Sequence, residues 1–242
     1  MTEIDRWRPR SIDWRRRTGR ALGSARIVIG MTRPLPDPIV VPWTMKPLES
    51  APVARLDHLD DGRMHLSIVH DVLHGVTPEM LRWWFRNMHG AMEIEGRAYP
   101  RYRVWHPLDH VEHEYVRNPP GGAGPGSIFH IHEVLGRNPA WRVDVLTDVT
   151  RLDVGGFAHR PRLHGIRGLV RMDYAFERVA GGTRYVNSMT IGAPVPPALR
   201  GVNAALLRVG FPEEKGRAWL KHNVEEVGNF EFFLPALYAA QK

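Results

Sequence analysis

The order of its patterned segments restricts the fold of this chain more than any single motif does. From about residue 62 to residue 191, short stretches alternate apolar and polar residues with a period of two, and a single long helical pattern follows from about Pro212 towards the C-terminus. The alternating stretches are GRMHLSIVH, YPRYRVWH, VEHEYV, SIFHIHEVL, WRVDVLTDV, LVRMDYAFERV and TRYVNSMTI. Turn signals such as PPGGAGPG, GRNPA and AGGT separate them. Two shorter helices accompany the series, one within it and one after it. One is VTPEMLRWWFRNMH, with Thr77 as N-cap and Pro78 at its first position, and the other is ALRGVNAALLRVG after the prolines of APVPP. Strands in series with a long terminal helix imply an α+β fold, in which a curved antiparallel sheet is closed by that helix and leaves a cavity against it.

This architecture resembles the helix-grip fold of the birch-pollen-allergen and START-like proteins, whose cavity binds hydrophobic ligands. At 242 residues and 43% hydrophobic composition, one sizeable core is expected. No apolar run reaches membrane-spanning length and no secretory h-region opens the chain, so a cytoplasmic protein without a membrane partner is expected. The absence of cysteine excludes disulfides and thiolate chemistry and leaves His, carboxylate or backbone as metal ligands.

The net charge of +7 is concentrated at one end. Residues 1–26 carry eight arginines against Glu3, Asp5 and Asp13, which accounts for +5 of it. No nucleic-acid motif accompanies this arm, and no nucleic-acid partner is expected. The arm and the proline-rich connector behind it, residues 1–54, read as a solvated or dimer-clasping extension, and residues 55–242 as the catalytic domain of a homodimer.

Within the last helix, Trp219, His222, Glu226, Phe230, Phe233 and Leu237 follow one another at spacings of three and four and share one face. His222 and Glu226 thus sit in an apolar stripe. A buried carboxylate costs several kcal/mol unless it is paired, protonated or bound to a cation, and an i,i+4 His–Glu pair can reach one ion. The competing assignment buries Val224, Val227 and Leu234 instead and leaves His222 and Glu226 in water beside Lys221 and Glu225.

The strand GSIFHIHEVLG poses the same problem. Phe129, Ile131, Glu133 and Leu135 share a face that is apolar except for Glu133, which therefore needs a partner. His130 and His132 fall on the other face and read as solvent-facing or helix-covered. A further ligand is expected from WHPLDH, which offers His106, Asp109 and His110 at a Pro-marked bend. Two carboxylates and two imidazoles suit Zn²⁺, with Mn²⁺ and Fe²⁺ equally compatible.

VTPEMLRWWF, RYRVWHPLDH, the glutamate of HEVLG and HNVEEVGNF occur in the order and approximate spacing of the 2,4-diacetylphloroglucinol hydrolase family, which includes phloretin hydrolases. The chain resembles that family over roughly residues 62–235. The resemblance implies a zinc-dependent, helix-grip hydrolase of carbon–carbon bonds, with an N-terminal extension used in dimerisation. It places the metal ligands on His110, Glu133, His222 and Glu226, and the ring-hydroxyl-binding tyrosines on Tyr102 and Tyr174. Its catalytic histidine falls on His159, with His164 competing because the intervening loop differs in length. His113 stands where the family has an asparagine that touches a substrate hydroxyl, so the preferred phenol should differ.

The implied substrate is a small phenolic ketone. Expelling an aryl carbanion is prohibitive, but protonating the ring carbon that bears the acyl group converts the bond into that of a β-diketone. An enolate can then leave. A metal ion activates the water and holds the oxyanion, Tyr102, Tyr174 and His113 orient the ring, and His159 or Glu133 moves the proton. The rival reading is a helix-grip carrier for an aromatic polyketide or flavonoid. It would have no metal, and Glu133, His222 and Glu226 would pair with arginine or with one another.

Overall fold

The computed structural model describes residues 35–241. The arginine-rich arm, with the dimerising role expected of it, lies outside the described residues. The fold is a helix grip. Strands β1 (Val53–His58), β2 (Met64–Val69) and β3 (Leu73–His74) come first, followed by helix α1 (Pro78–Asn87). A separate hairpin, β4 (Ala91–Ile94) and β5 (Arg97–Pro100), leads into the short helix α2 (Arg101–Trp105). Strands β6 (His110–Arg117), β7 (Ile128–Val134), β8 (Arg142–Asp153), β9 (Gly156–Pro161), β10 (Val170–Val179) and β11 (Gly182–Ile191) form a meander. Helices α3 (Arg200–Gly210) and α4 (Glu213–Ala239) complete the chain.

The large sheet runs β1-β2-β11-β10-β9-β8-β7-β6, with β3 also paired to β11. Its neighbours pair antiparallel throughout. The sequence expectation of an antiparallel meander closed by the last helix therefore holds, and α1 begins where expected, with Thr77 Oγ1 accepting the Met80 amide at 3.4 Å.

Helix α4 does more than present one stripe. Nine consecutive residues, His222 to Phe230, are buried, so the helix is enclosed on every side over that length. Both competing stripes are buried together, and the assignment that left His222 and Glu226 in water is wrong. On the sheet side the approach is close. A Cβ at Gly216 would lie 2.8 Å from Leu56 Cδ1, so glycine there lets α4 settle onto β1 and β2. On the opposite side Phe230 packs between Trp84 of α1 and Trp105 of α2, at centroid distances of 5.6 and 5.2 Å.

The last side is closed by the proline-rich connector. Trp43 stacks on Phe232 at 5.5 Å and donates Nε1–H to Asn229 Oδ1 at 3.0 Å, and Lys46 pairs with Glu231 at 3.0 Å. Extended proline-rich chain suits such a strap because it needs no ladder of its own.

The stretch YPRYRVWH departs from expectation. It is strand only to Pro100 and then turns into α2, which buries Tyr102, Val104 and Trp105. Alternation of Tyr and Val reads as β locally, but tertiary packing against α4 rewards helical spacing here. Strands β1 and β9 were not anticipated either. In β9 Gly156, Phe157, Ala158 and His159 are all buried, so the polar half of the alternation that marks a strand is missing. Among the described residues no helix is long and apolar enough to cross a membrane.

Replacing Trp43 by Ala removes the stacking and the Asn229 hydrogen bond together. It is expected to lower stability by about 2 kcal/mol, read as a lower urea midpoint with an unchanged slope.

Candidate active site

Four side chains from three elements converge beneath the gripped helix. His110 opens β6, Glu133 is its cross-strand partner on β7, and His222 and Glu226 lie one turn apart on α4. His110 Nε2 is 3.3 Å from Glu226 Oε2 and 3.5 Å from Glu133 Oε1. His222 Nε2 is 3.7 Å from Glu226 Oε2 and 3.8 Å from Glu133 Oε2. A register shift between His110 and Glu112 interrupts the β6–β7 ladder just after His110, the kind of bulge that re-aims a side chain at the end of a strand.

Both imidazoles are held by their other nitrogen. His110 Nδ1 donates to the Tyr102 carbonyl at 2.7 Å, and His222 Nδ1 donates to Asp109 Oδ2 at 3.0 Å. That leaves each Nε2 directed at the shared centre, the arrangement that fixes the tautomer of metal-binding histidines. Asp109 is held in turn by the Gly136 amide at 2.9 Å.

Of the three candidates in WHPLDH, only His110 thus reaches the centre. His106 lies flat on His222 with centroids 4.4 Å apart, accepts the Asp109 amide through Nδ1 at 3.1 Å and faces Glu225 through Nε2 at 3.3 Å. His106, Asp109 and His222 are close enough for a second cluster. With their polar atoms so committed, His106 and Asp109 serve as the support of His222 in the first.

The donor set fits a divalent cation. His110 Nε2 is fully buried and has no hydrogen-bond partner, an orphan whose cost a metal would remove. Burial raises the Glu226 carboxyl to about 8, helped by Glu133 and Asp109 and opposed by His222. Burial alone would lower His222, but the Asp109 hydrogen bond and the charges of Glu226 and Glu133 lift it to about 9. Burial likewise raises Glu133 and drives His110 well down. Such opposed shifts describe four coupled groups competing for few protons.

A cavity of about 520 Å³ opens over this centre. Tyr102, His113, Glu133, His159, Tyr174, His222 and Glu226 all line it, among Phe85, Phe129, Phe157 and Trp219. The Tyr102 ring lies parallel to His110 at 3.9 Å, and its hydroxyl donates to Glu133 Oε1. His159 Nε2 is 3.2 Å from the Tyr174 hydroxyl, while its Nδ1 meets Thr147 Oγ1 at 2.7 Å. Burial lowers His159 to about 3, so this imidazole is neutral at physiological pH. His164 also lines the cavity, but it stands in the loop after β9, whereas His159 is in the strand beside Tyr174. Neither ring nitrogen of buried His113 has a partner. His130 meets Asp144 at 2.7 Å and buried His132 meets Arg142 at 2.5 Å, and neither lines the cavity.

Residues 49–124 match the family model described as the DAPG hydrolase PhiG domain. The resemblance read from the sequence is borne out over that span, which supports a hydrolase. The DAPG hydrolase match contains Tyr102, His110 and His113 and stops before Glu133, His159, Tyr174, His222 and Glu226. No curated protein matches the chain. Among solved structures, similarity is found to protein Ms6760 from Mycobacterium smegmatis, at 13% identity over 79% of this chain and 99% of that one, with a TM-score of 0.43. The Zhui aromatase/cyclase from Streptomyces sp. R1128 is 12% identical over 69% and 95%, with a TM-score of 0.40. Ara h 8.0201 is 14% identical over 65% and 97%, with a TM-score of 0.36.

The supporting roles of Asp109 and His106 and the contact from Thr147 were not read from the sequence. Thr147 left one signal, a hydroxyl on the face that Val143, Val145 and Val149 otherwise make apolar.

Two outcomes follow for metal binding. Asp109→Asn should weaken zinc affinity roughly 10- to 100-fold while leaving the fold intact, measured by competition with a chromophoric chelator. Protons on Glu226 and His222 compete with the cation below about 8 and about 9, so affinity should rise with pH through that range. Calorimetry in buffers of different ionisation enthalpy should read proton release on loading at neutral pH.

Proposed function

We propose that this protein is a metal-dependent hydrolase that cleaves the carbon–carbon bond between an acyl group and a polyhydroxylated aromatic ring, acting on an acylphloroglucinol- or phloretin-like ketone. The observation that carries this reading is the convergence of His110, Glu133, His222 and Glu226, with the unpartnered Nε2 of His110 among them, where the last three also line an aromatic-walled cavity. A carrier for apolar ligands has no use for three buried ionisable groups and a half-buried fourth held in this way. The carrier reading expected these residues to pair with arginine or with one another. No arginine forms an ion pair with them among the described residues, and they do face one another at 3.3–3.8 Å. What favours the metal is the unpartnered Nε2 of His110 at their centre.

His110, Glu133, His222 and Glu226 would hold the cation, with zinc the ion proposed. A divalent cation there supplies a Lewis acid beside the acyl carbonyl and lowers the pKa of water enough for attack at neutral pH.

The chain's own groups do the rest. Phe85 and Phe157, stacked on each other at 4.4 Å, form an apolar wall against which the ring can lie away from water. Tyr174 and His113 receive ring hydroxyls, His113 through nitrogens that nothing else engages. Neutral His159 hydrogen-bonds the Tyr174 hydroxyl, so a proton can pass between imidazole and phenol towards the ring carbon that bears the acyl group. Tyr102 holds one oxygen of Glu133 and leaves the other facing His222. The reaction balances without a redox partner. Water gives hydroxyl to the acyl carbon and a proton to the ring carbon, the bond between them breaks, and a phenol and a carboxylic acid leave.

The test pairs elemental analysis with product analysis. Zinc should be present near one per chain, and phloretin or an acylphloroglucinol should yield phloroglucinol and the free acid. Glu226→Ala and His222→Ala should lose metal and turnover together while the far-ultraviolet dichroism is retained. His159→Ala should keep its metal and lose about a hundredfold or more in kcat. Protein that binds the phenols tightly but holds no metal and releases no acid would establish the carrier instead.

A further inference from the structure

Helix α4 carries one more cavity-lining charge, which the proposed chemistry does not use. Lys215, Trp219, His222 and Glu226 succeed one another at spacings of four, three and four, and all four line the cavity. Lys215 stands seven residues before His222, about 10 Å along the axis at 1.5 Å per residue. Trp219 lies between them.

Lys215 is only 8% exposed. Its Nζ donates to the Arg142 carbonyl at 2.8 Å and lies 5.4 Å from the centre of the Phe211 ring. Those contacts orient an ammonium but do not neutralise it. No ion pair to Lys215 exists among the described residues, and the other charged groups around the same cavity are already engaged. Arg162 pairs with Asp148 at 2.7 Å, Asp144 meets His130 at 2.7 Å, and Arg142 points its guanidinium at His132. Burial holds the Lys215 pKa below the usual lysine value, and Glu133 is the acid whose charge opposes that shift, which places the ammonium in the field of the metal centre. A buried cation without a counter-charge, lining a ligand cavity, fits an anionic ligand group.

The position assigns that group to one end of the substrate. Phe85, Phe157, His113, His159 and Tyr174 make the ring end, and His222 with Glu226 stands at the reacting carbonyl. Beyond these along α4, Trp219 and then Lys215 border the space left for the acyl chain. We propose that Lys215 determines specificity by receiving a carboxylate at the far end of the acyl chain, so that the preferred substrates are phenolic ketones with a short ω-carboxyacyl group. This inference rests on the hydrolase reading for the placement of ring and acyl chain. The products would then be a phenol and a dicarboxylic acid, with the C–C step unchanged.

The experiment uses two pairs of ligands on the zinc-supplemented full-length protein. The first pair is a succinyl- or glutaryl-phloroglucinol against the alkanoyl ketone of equal length ending in methyl, read as kcat/KM. The second is the corresponding carbinols, which carry no ketone to cleave, read as Kd by calorimetry. The carboxylate member of each pair should be favoured roughly tenfold or more, as expected of a charge-assisted hydrogen bond. Lys215→Met should bring both ratios close to one, and Lys215→Arg, which keeps the charge, should retain most of the preference.

Equal binding of the two carbinols by the wild type, binding of neither, or an undiminished preference in Lys215→Met would overturn the proposal. A carbinol preference that depends on Lys215, with no cleavage of either ketone, would uphold the anion site while sinking the hydrolase reading. If Lys215→Met melts early but keeps the wild-type ratio, the lysine serves only to tie α4 to Arg142, and the inference fails.

Discussion

Burying Glu226 inside a helix enclosed on all sides is the constraint from which the rest of the site follows. A carboxylate taken out of water at that depth costs several kcal/mol unless something compensates it. The sheet, α1, α2 and the connector together deny it solvent along His222–Phe230. Compensation must therefore come from the groups that face it, and those are His110, His222 and the half-buried Glu133. Two acids and two imidazoles so placed cannot all take their ordinary charge states, which is why Glu226 and Glu133 are pushed up and His110 down. A divalent cation, as proposed, would satisfy all four at once.

The geometry that would receive such a cation is prepared by residues outside it. Asp109 and the Tyr102 carbonyl take the Nδ1 protons of the two histidines, and His106 braces His222 from its open face. Because Asp109 is itself held by the Gly136 amide beyond the end of β7, the position of His222 on the last helix is tied to the edge of the sheet. Helix and sheet are thus locked together at the place where the chemistry is proposed. The cavity walls inherit that rigidity, with Tyr102 stacked on His110 and Tyr174 set against His159.

Much of this was legible in the sequence because two carboxylates break apolar faces. Glu133 interrupts a strand face and Glu226 a helix face, and either anomaly could be found by periodicity alone. The meander and the closing helix were legible for the same reason. Less was visible where local pattern and packing disagree. Tyr102 alternates with Val104 as in a strand, yet packing against α4 makes a helix of the segment and turns Tyr102 towards Glu133. In β9 the outward half of the strand pattern was missing because Ala158 is buried too, so the segment that carries His159 was not read as a strand. Asp109 could be picked out as a possible ligand, but its part as the partner of His222 Nδ1 depends on a contact across 113 positions of chain.

By itself, then, the sequence determined the class of fold, the absence of thiol chemistry and the identity of the polar residues that could not be buried alone. Periodicity and composition are local properties and are read without knowing what packs against what. Only the tertiary structure decided which of His106, Asp109 and His110 faces the centre, which imidazole meets Tyr174, and that Lys215 stands buried without a counter-charge. Those outcomes depend on the register between β6 and β7 and on the seating of α4 against the sheet. Register and seating are fixed by the sum of many distant contacts, and no short stretch of sequence contains that sum.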